Sequence, residues 1–194
     1  MHNTDFSARD PLPGVAELFS QRWSPRAFAI KPVPNEILAQ ILDAARWSPS
    51  CFNEQPWRFI TCTTDSHQQF VDLLAEGNQS WARQAPVLGF ILAERQFMHN
   101  GKENAHAQFD AGAAWMAMTL QARLLDLYTH GMAGIDYDGV YRAFNIDRDK
   151  TAVICGFALG YRGDAPGLPA SLQQKEKPSP RKSLTEIWQP VSGN

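Results

Sequence analysis

The stretch AARWSPSCFNEQPWRFI, residues 44–60, decides the fold: it holds a helix end, a loop and the start of a strand. Upstream, Ile37, Leu38, Ile41, Leu42 and Ala45 recur at the spacing of one helical face. Asn35 reads as the cap of that helix. Pro49 ends it, because proline has no amide hydrogen and clashes with the preceding turn. SPSCFNEQP then reads as an irregular loop, and WRFITC, residues 57–62, as a short strand. The loop carries Ser50, Asn53 and Gln55, small polar groups just after a helix. Such groups either close an ordinary turn or hydrogen-bond the edge of a flat heteroaromatic ring. Cys51 lies among them with no base beside it in sequence, so nothing marks it as a nucleophile.

Outward from this stretch, residues 11–22 read as a first helix with Val15, Leu18 and Phe19 on one face. SPRAFAIKPVP follows, and Pro25, Pro32 and Pro34 deny it a long helix. Ser66 reads as the cap of a helix carrying Phe70, Val71, Leu73 and Leu74. PVLGFILAE (86–94) and TAVICGFALGY (151–161) are nearly continuous apolar runs, which predicts buried strands. Between them lie a polar segment (95–106) with an Asn100-Gly101 turn, the longest helix (107–127) and a short helix (138–145). Small residues from Ala111 to Ala114 would let another backbone approach the long helix. Trp47, Trp57 and Trp115 read as core. The connection 162–180 is rich in Pro, Gly and Lys and reads as extended and mostly exposed. It leads to a second apolar patch, LTEIWQPV (184–191), which must bury against something, and a second protomer would serve. With no internal repeat, residues 1–194 read as one domain.

The chain of 194 residues is 44% apolar and 20% charged, with a net charge of −2, the balance of a soluble globular protein. That charge argues against a general binder of nucleic acid or anionic membrane. Three cysteines, without CxxC or zinc-ligand spacing, fit a reducing compartment and no metal site. MHNTDFSARDPLPG lacks the apolar core of a signal peptide. The apolar runs fall short of the roughly 20 residues of a membrane span, so a cytoplasmic protein is expected. Two cationic clusters stand out: Arg22-Trp23-Ser24-Pro25-Arg26 and Arg181-Lys182. Each is either a solvated surface group or part of an anion site, since guanidinium pairs with phosphate through two bonds. No GxGxxG follows a strand, so the phosphate turn of a dinucleotide-binding domain is missing.

Taken in order, RWSPRAF (22–28), AARWSPSCFNEQPWRFI (44–60) and RKSLTEI (181–187) resemble the nitroreductase family of FMN enzymes. APVLGFILAE, QFDAGAAWMAMTLQA and GMAGIDYDGVYRAFNI followed by AVICGFALGY continue the likeness, which spans about residues 20 to 188. The resemblance implies an α+β fold with a central, mostly antiparallel sheet flanked by helices. It also implies an intertwined homodimer whose C-terminal tail crosses to the partner. FMN would lie at the dimer interface. Arg22, Trp23, Ser24 and Arg26 would hold its phosphate, ribityl chain and pyrimidine side, and Arg181 with Lys182 would complete the phosphate site. Pro49, Ser50, Cys51, Asn53 and Gln55 would approach from the partner, while the amides of Gly134 and Ile135 would lie near flavin N5. Two departures stand out: Cys51 takes a position where the family often has serine, and Ala133 takes one where some members have glutamate.

The resemblance further implies electron transfer from NAD(P)H to a small electrophile, a nitroaromatic, quinone or enone, in a ping-pong exchange. Reductive dehalogenation or flavin modification on the same scaffold, and flavin binding without turnover, are the alternatives. No side chain is singled out as acid or base. Residues 95–108 would cover the substrate side, with Phe97, His99 and His106 either touching substrate or belonging to a polar lid.

Overall fold

The computed structural model describes residues 4–191. Four strands form one antiparallel sheet: β1 (Trp57–Thr61), β2 (Val87–Glu94), β3 (Leu127–Met132) and β4 (Thr151–Tyr161), in the order β1-β2-β4-β3. β2 lies between β1 and β4, and seven of its eight residues are buried. An apolar run without alternation makes such a strand, because both faces are covered. Among the described residues, eight α-helices surround the sheet. They are α1 (Glu17–Gln21), α2 (Asn35–Arg46), α3 (His67–Asp72), α4 (Glu76–Ala82), α5 (Ala107–Leu124), α6 (Tyr137–Ala143), α7 (Ala170–Gln173) and α8 (Leu184–Ile187). The α+β class, with its antiparallel sheet, is as the sequence predicts.

Each face of the sheet has its own core. On one, Phe70, Trp81, Phe90 and Val140 are buried together, with Phe70 stacked on Phe90 at 5.2 Å between centroids. On the other, Ile41 and Ala45 of α2 meet Ala111, Ala114, Met118 and Ala122 of α5 over Ile91 and Phe157. The alanines of α5 bring its backbone close to its neighbours, which larger side chains would prevent. The opposite face of α5 exposes Phe109, Met116 and Leu124.

Several elements differ from the sequence reading. The first helix is only α1, because Pro11, Pro13 and Gly14 (φ +89°) keep the chain out of helix before it. Val15 and Phe19 are exposed rather than packed. Asn35 is the first helical residue, and Pro34 holds the cap position without a side-chain bond. Ser66 precedes α3 but bonds Thr63 instead of capping. The long helix stops at Leu124, and Asp126 (φ 59°) turns the chain so that Leu127 begins β3, a strand the helical pattern concealed. α4 is likewise absent from the sequence reading. Trp57 is buried, and Trp115 packs on Phe157 at 5.8 Å, but Trp47 is 78% exposed at the end of α2. The connection 162–180 is mostly exposed, but it contains α7 and buries Leu168 and Glu176.

Gly89, in the middle of β2, faces Thr61 and Phe157. A Cβ there would overlap the Phe157 ring and stand 2.6 Å from the Ile60 carbonyl oxygen. Gly89→Ala should therefore cost about 1–3 kcal/mol of stability, read as a lower urea midpoint with unchanged slope.

Candidate functional site

The segment from Arg22 to Phe28 leaves α1 in extended conformation, with Arg22 at φ −71°, ψ 123°. Extended chain alternates its side chains. Trp23, Pro25 and Ala27 are buried, while Arg22, Ser24 and Arg26 share the other side. Trp23 anchors the segment edge-on against Tyr128 at 6.3 Å. His130 Nδ1 lies 2.9 Å from the Pro25 carbonyl oxygen. The buried Glu176 carboxylate accepts from the Arg26 amide at 2.9 and 3.1 Å and from the Ala27 amide at 3.0 Å. Three anchors thus set where the polar face points.

That face opens on a cavity of about 210 Å³. Arg22, Ser24, Arg26 and Arg181 line it, together with Trp23. So do Arg9, His130, Lys175, Lys177 and Ser179, which no local motif marks. Six cationic side chains border the cavity, and no described carboxylate does. Burial, with Arg181 and Arg9 alongside, lowers the pKa of Arg22. Arg22 Nη1 donates to Ser24 Oγ at 3.3 Å. Cations held together in a partly buried pocket, with no described acid among its lining, repel one another, a charge distribution that suits a polyvalent anion. Lys182 falls outside this cavity and lines the adjoining groove with Leu12, Phe19 and Leu184.

The second predicted cluster lies elsewhere on the protomer, and none of its residues lines the cationic cavity. Phe52 (φ 53°), Asn53 (φ 57°) and Gln55 (φ 53°) all take left-handed backbone. Side chains other than glycine adopt it at a cost of about 1 kcal/mol or more each, and such strain collects at functional loops. Internal bonds hold the loop: Ser50 Oγ accepts from the Gln55 amide at 2.9 Å, and the Cys51 amide donates to buried Asp110 at 3.0 Å. Gln55 Nε2 donates to the Asn53 carbonyl at 2.9 Å. Pro49 precedes the loop and is exposed. Phe52 is exposed and meets Phe97 and His99 edge-on at 5.7 and 5.9 Å. Glu54 accepts from the Met98 amide at 2.7 Å, which docks the 96–103 hairpin on the loop.

The Gly134 carbonyl accepts from the Ala75 amide at 3.0 Å and from Asn78 Nδ2 at 2.9 Å. A Cβ on Gly134 would stand 2.8 Å from that nitrogen, so only glycine admits the approach of α4 without a shift. The Ile135 amide donates to the Ala133 carbonyl at 3.0 Å and its side chain packs in the core. Burial raises the pKa of Cys62 and pushes Cys155 up to about 11, which keeps both thiols protonated and poorly nucleophilic at neutral pH. No described helix is long and apolar enough to cross a membrane.

The nitroreductase family model matches residues 19–78 and 65–161. The chain belongs to the nitroreductase family. A Stenotrophomonas maltophilia (strain K279a) relative bearing the name NADH dehydrogenase/NAD(P)H nitroreductase is 30% identical over 188 residues, 86% of this chain and 91% of its own. A Streptomyces coelicolor relative of the same name is 27% identical over 158 residues, 71% of this chain and 80% of its own. A solved structure described as an oxidoreductase containing FMN matches with a TM-score of 0.90 and 40% identity over 100% of both chains. An Exiguobacterium sibiricum nitroreductase structure shares the fold at a TM-score of 0.75 and 19% identity, over 98% of this chain and 99% of that one.

In this chain, burial first, and then Arg26 and Arg22, lower the His130 pKa to about 4 against bonds to the Pro25 and Ser24 backbone that raise it. The folded state therefore favours neutral His130, with Nδ1–H donating to Pro25. The stability this contributes is complete above the unfolded pKa of about 6.5 and is lost as pH falls toward 4. Between pH 7 and 4.5, His130→Gln should lose roughly 2 kcal/mol less stability than the parent, measured by urea unfolding at both pH values.

Proposed function

We propose that this chain is an FMN-dependent oxidoreductase that takes electrons from NAD(P)H and passes them, in a ping-pong exchange, to a small nitroaromatic, quinone or enone. One observation carries the reading: the pocket of Arg22, Ser24, Arg26 and Arg181, cationic and with no described carboxylate in its lining, suits a phosphate monoester. The bound FMN supplies the two-electron chemistry. Arg22, Ser24 and Arg181 hold the phosphate, and Trp23 backs the segment from the core. Arg26, further along the same face, serves the ribityl and pyrimidine side, where a cation favours the anionic reduced ring.

The remaining contacts come from a second protomer. The exposed stripe of Phe109, Met116 and Leu124 on α5 supports a homodimer, as do exposed Leu184, Ile187, Trp188 and Val191 near the C-terminal end. In that dimer the tail crosses to the partner, and the strained loop with Pro49, Ser50, Cys51, Asn53 and Gln55 meets the flavin held by the other chain. Separation of this loop from the cationic cavity within one protomer supports the arrangement. Gly134 and Ile135 offer backbone beside the reacting edge, and Lys182 supports Arg181 from the adjoining groove. Phe97, His99 and His106 face the acceptor side.

The purified protein should be yellow or bind added FMN, and NADH or NADPH should bleach it. A preparation that ignores FMN sinks the reading; bound flavin that neither donor bleaches removes the donor assignment. Arg22→Ala should weaken FMN binding by more than about 1 kcal/mol in a flavin titration. Phe109→Glu should shift the mass in light scattering from dimer toward monomer, because a charge on the stripe is costly to bury.

A further inference from the structure

The cationic cavity carries more charge than the family motifs supply. The matched stretch runs from residue 19 to residue 161 and brings Arg22 and Arg26. Arg9 comes from before it, and Lys175, Lys177 and Arg181 come from after it. We propose that Arg9, Lys175 and Lys177 are phosphate ligands, and that with Arg22 and Arg181 they form a clasp that joins the N-terminal and C-terminal segments when an anion is bound. That the anion is the phosphate of FMN rests on the function proposed above; the clasp itself needs only a phosphate group.

Arg9 is built in rather than draped on the surface. Its Nη1 donates to the Ser20 carbonyl at 2.9 Å and to the Arg22 carbonyl at 3.2 Å, which fixes the guanidinium beside Arg22. Its Nε is buried and has no hydrogen-bond partner among the described residues. A buried donor without an acceptor costs free energy that an arriving oxygen would recover. Lys175 and Lys177 are held by the residue between them: Glu176 turns inward to the Arg26 and Ala27 amides, and its two neighbours line the cavity. Asp5 lies within electrostatic range of Lys177, but its carboxylate is engaged by the Ser7 amide at 2.8 Å and does not line the cavity.

A phosphate monoester brings a charge of about −2. Six cations face it, and a bound phosphate relieves their mutual repulsion. A ligand that binds only the folded form stabilises the fold by mass action. The clasp therefore couples capture of the nucleotide to the stability of both ends of the chain, and it selects the phosphorylated flavin over riboflavin.

Two measurements on flavin-free protein test this, with Arg9→Met and the double variant Lys175→Met, Lys177→Met. The double variant removes charge without touching the Arg9 bonds to Ser20 and Arg22. First, thermal melts compare inorganic phosphate with sodium chloride at equal ionic strength. Phosphate should raise the melting temperature of the parent, and both variants should lose most of that rise. Second, fluorescence titrations compare FMN with riboflavin. Both variants should bind FMN about tenfold or more weakly, as expected for a lost charge-assisted bond, with riboflavin affinity unchanged. Unchanged FMN affinity in both variants, or an equal loss for riboflavin, overturns the assignment. If the parent binds no flavin, the proposed function fails. The phosphate melts then decide the clasp alone, and a parent without a phosphate-specific rise overturns it.

Discussion

The grip of one buried carboxylate on two backbone amides organises this molecule. Glu176 reaches across 150 residues of sequence to the Arg26 amide and closes the C-terminal connection over the segment after α1. A buried carboxylate is tolerable only when hydrogen bonds replace its water, and two amides do so here. The consequence is directional. With Glu176 turned inward, Lys175 and Lys177 face the same cavity as Arg22 and Arg26. His130 and Trp23 hold the segment from the sheet side, so the polar face has little freedom.

The second half of the proposed site works by another device. In the Pro49–Gln55 loop a buried carboxylate engages a single amide, that of Cys51 by Asp110, where Glu176 engages two. It is held by its own turns and by aromatic packing of Phe52 on the 96–103 hairpin. Three left-handed residues there trade local backbone stability for a particular presentation of side chains. A cavity that anchors a phosphate and a strained loop that offers polar edges are complementary parts of one flavin site only if two copies of the chain meet, which is why the dimer belongs to the proposed function rather than beside it.

Much of the architecture was legible in local pattern. β2 and β4 announced themselves as apolar runs, and α2 as a periodic face ended by Pro49. β3 did not, because Leu127 continues the apolar spacing of α5, and only the turn at Asp126 separates them. Trp47 misled for a related reason: residue type suggests burial, but its place at the end of α2 leaves it exposed. In the site, Arg22, Ser24, Arg26 and Arg181 were marked by short motifs and converge. Lys182 was marked by adjacency to Arg181 alone, and it lines the adjoining groove instead of the cavity.

The sequence by itself determined the extended course of residues 22–28, the helix–loop–strand of residues 37–61 and the family order of motifs, because prolines, spacing and apolar runs act within a few residues. Only the tertiary structure decided that Arg9, His130, Lys175 and Lys177 share a cavity with Arg22. Nothing local distinguishes those residues from solvated ones. Their meeting depends on contacts made across more than a hundred residues, Pro25 to His130 and Arg26 to Glu176, and period and propensity carry no record of such distances.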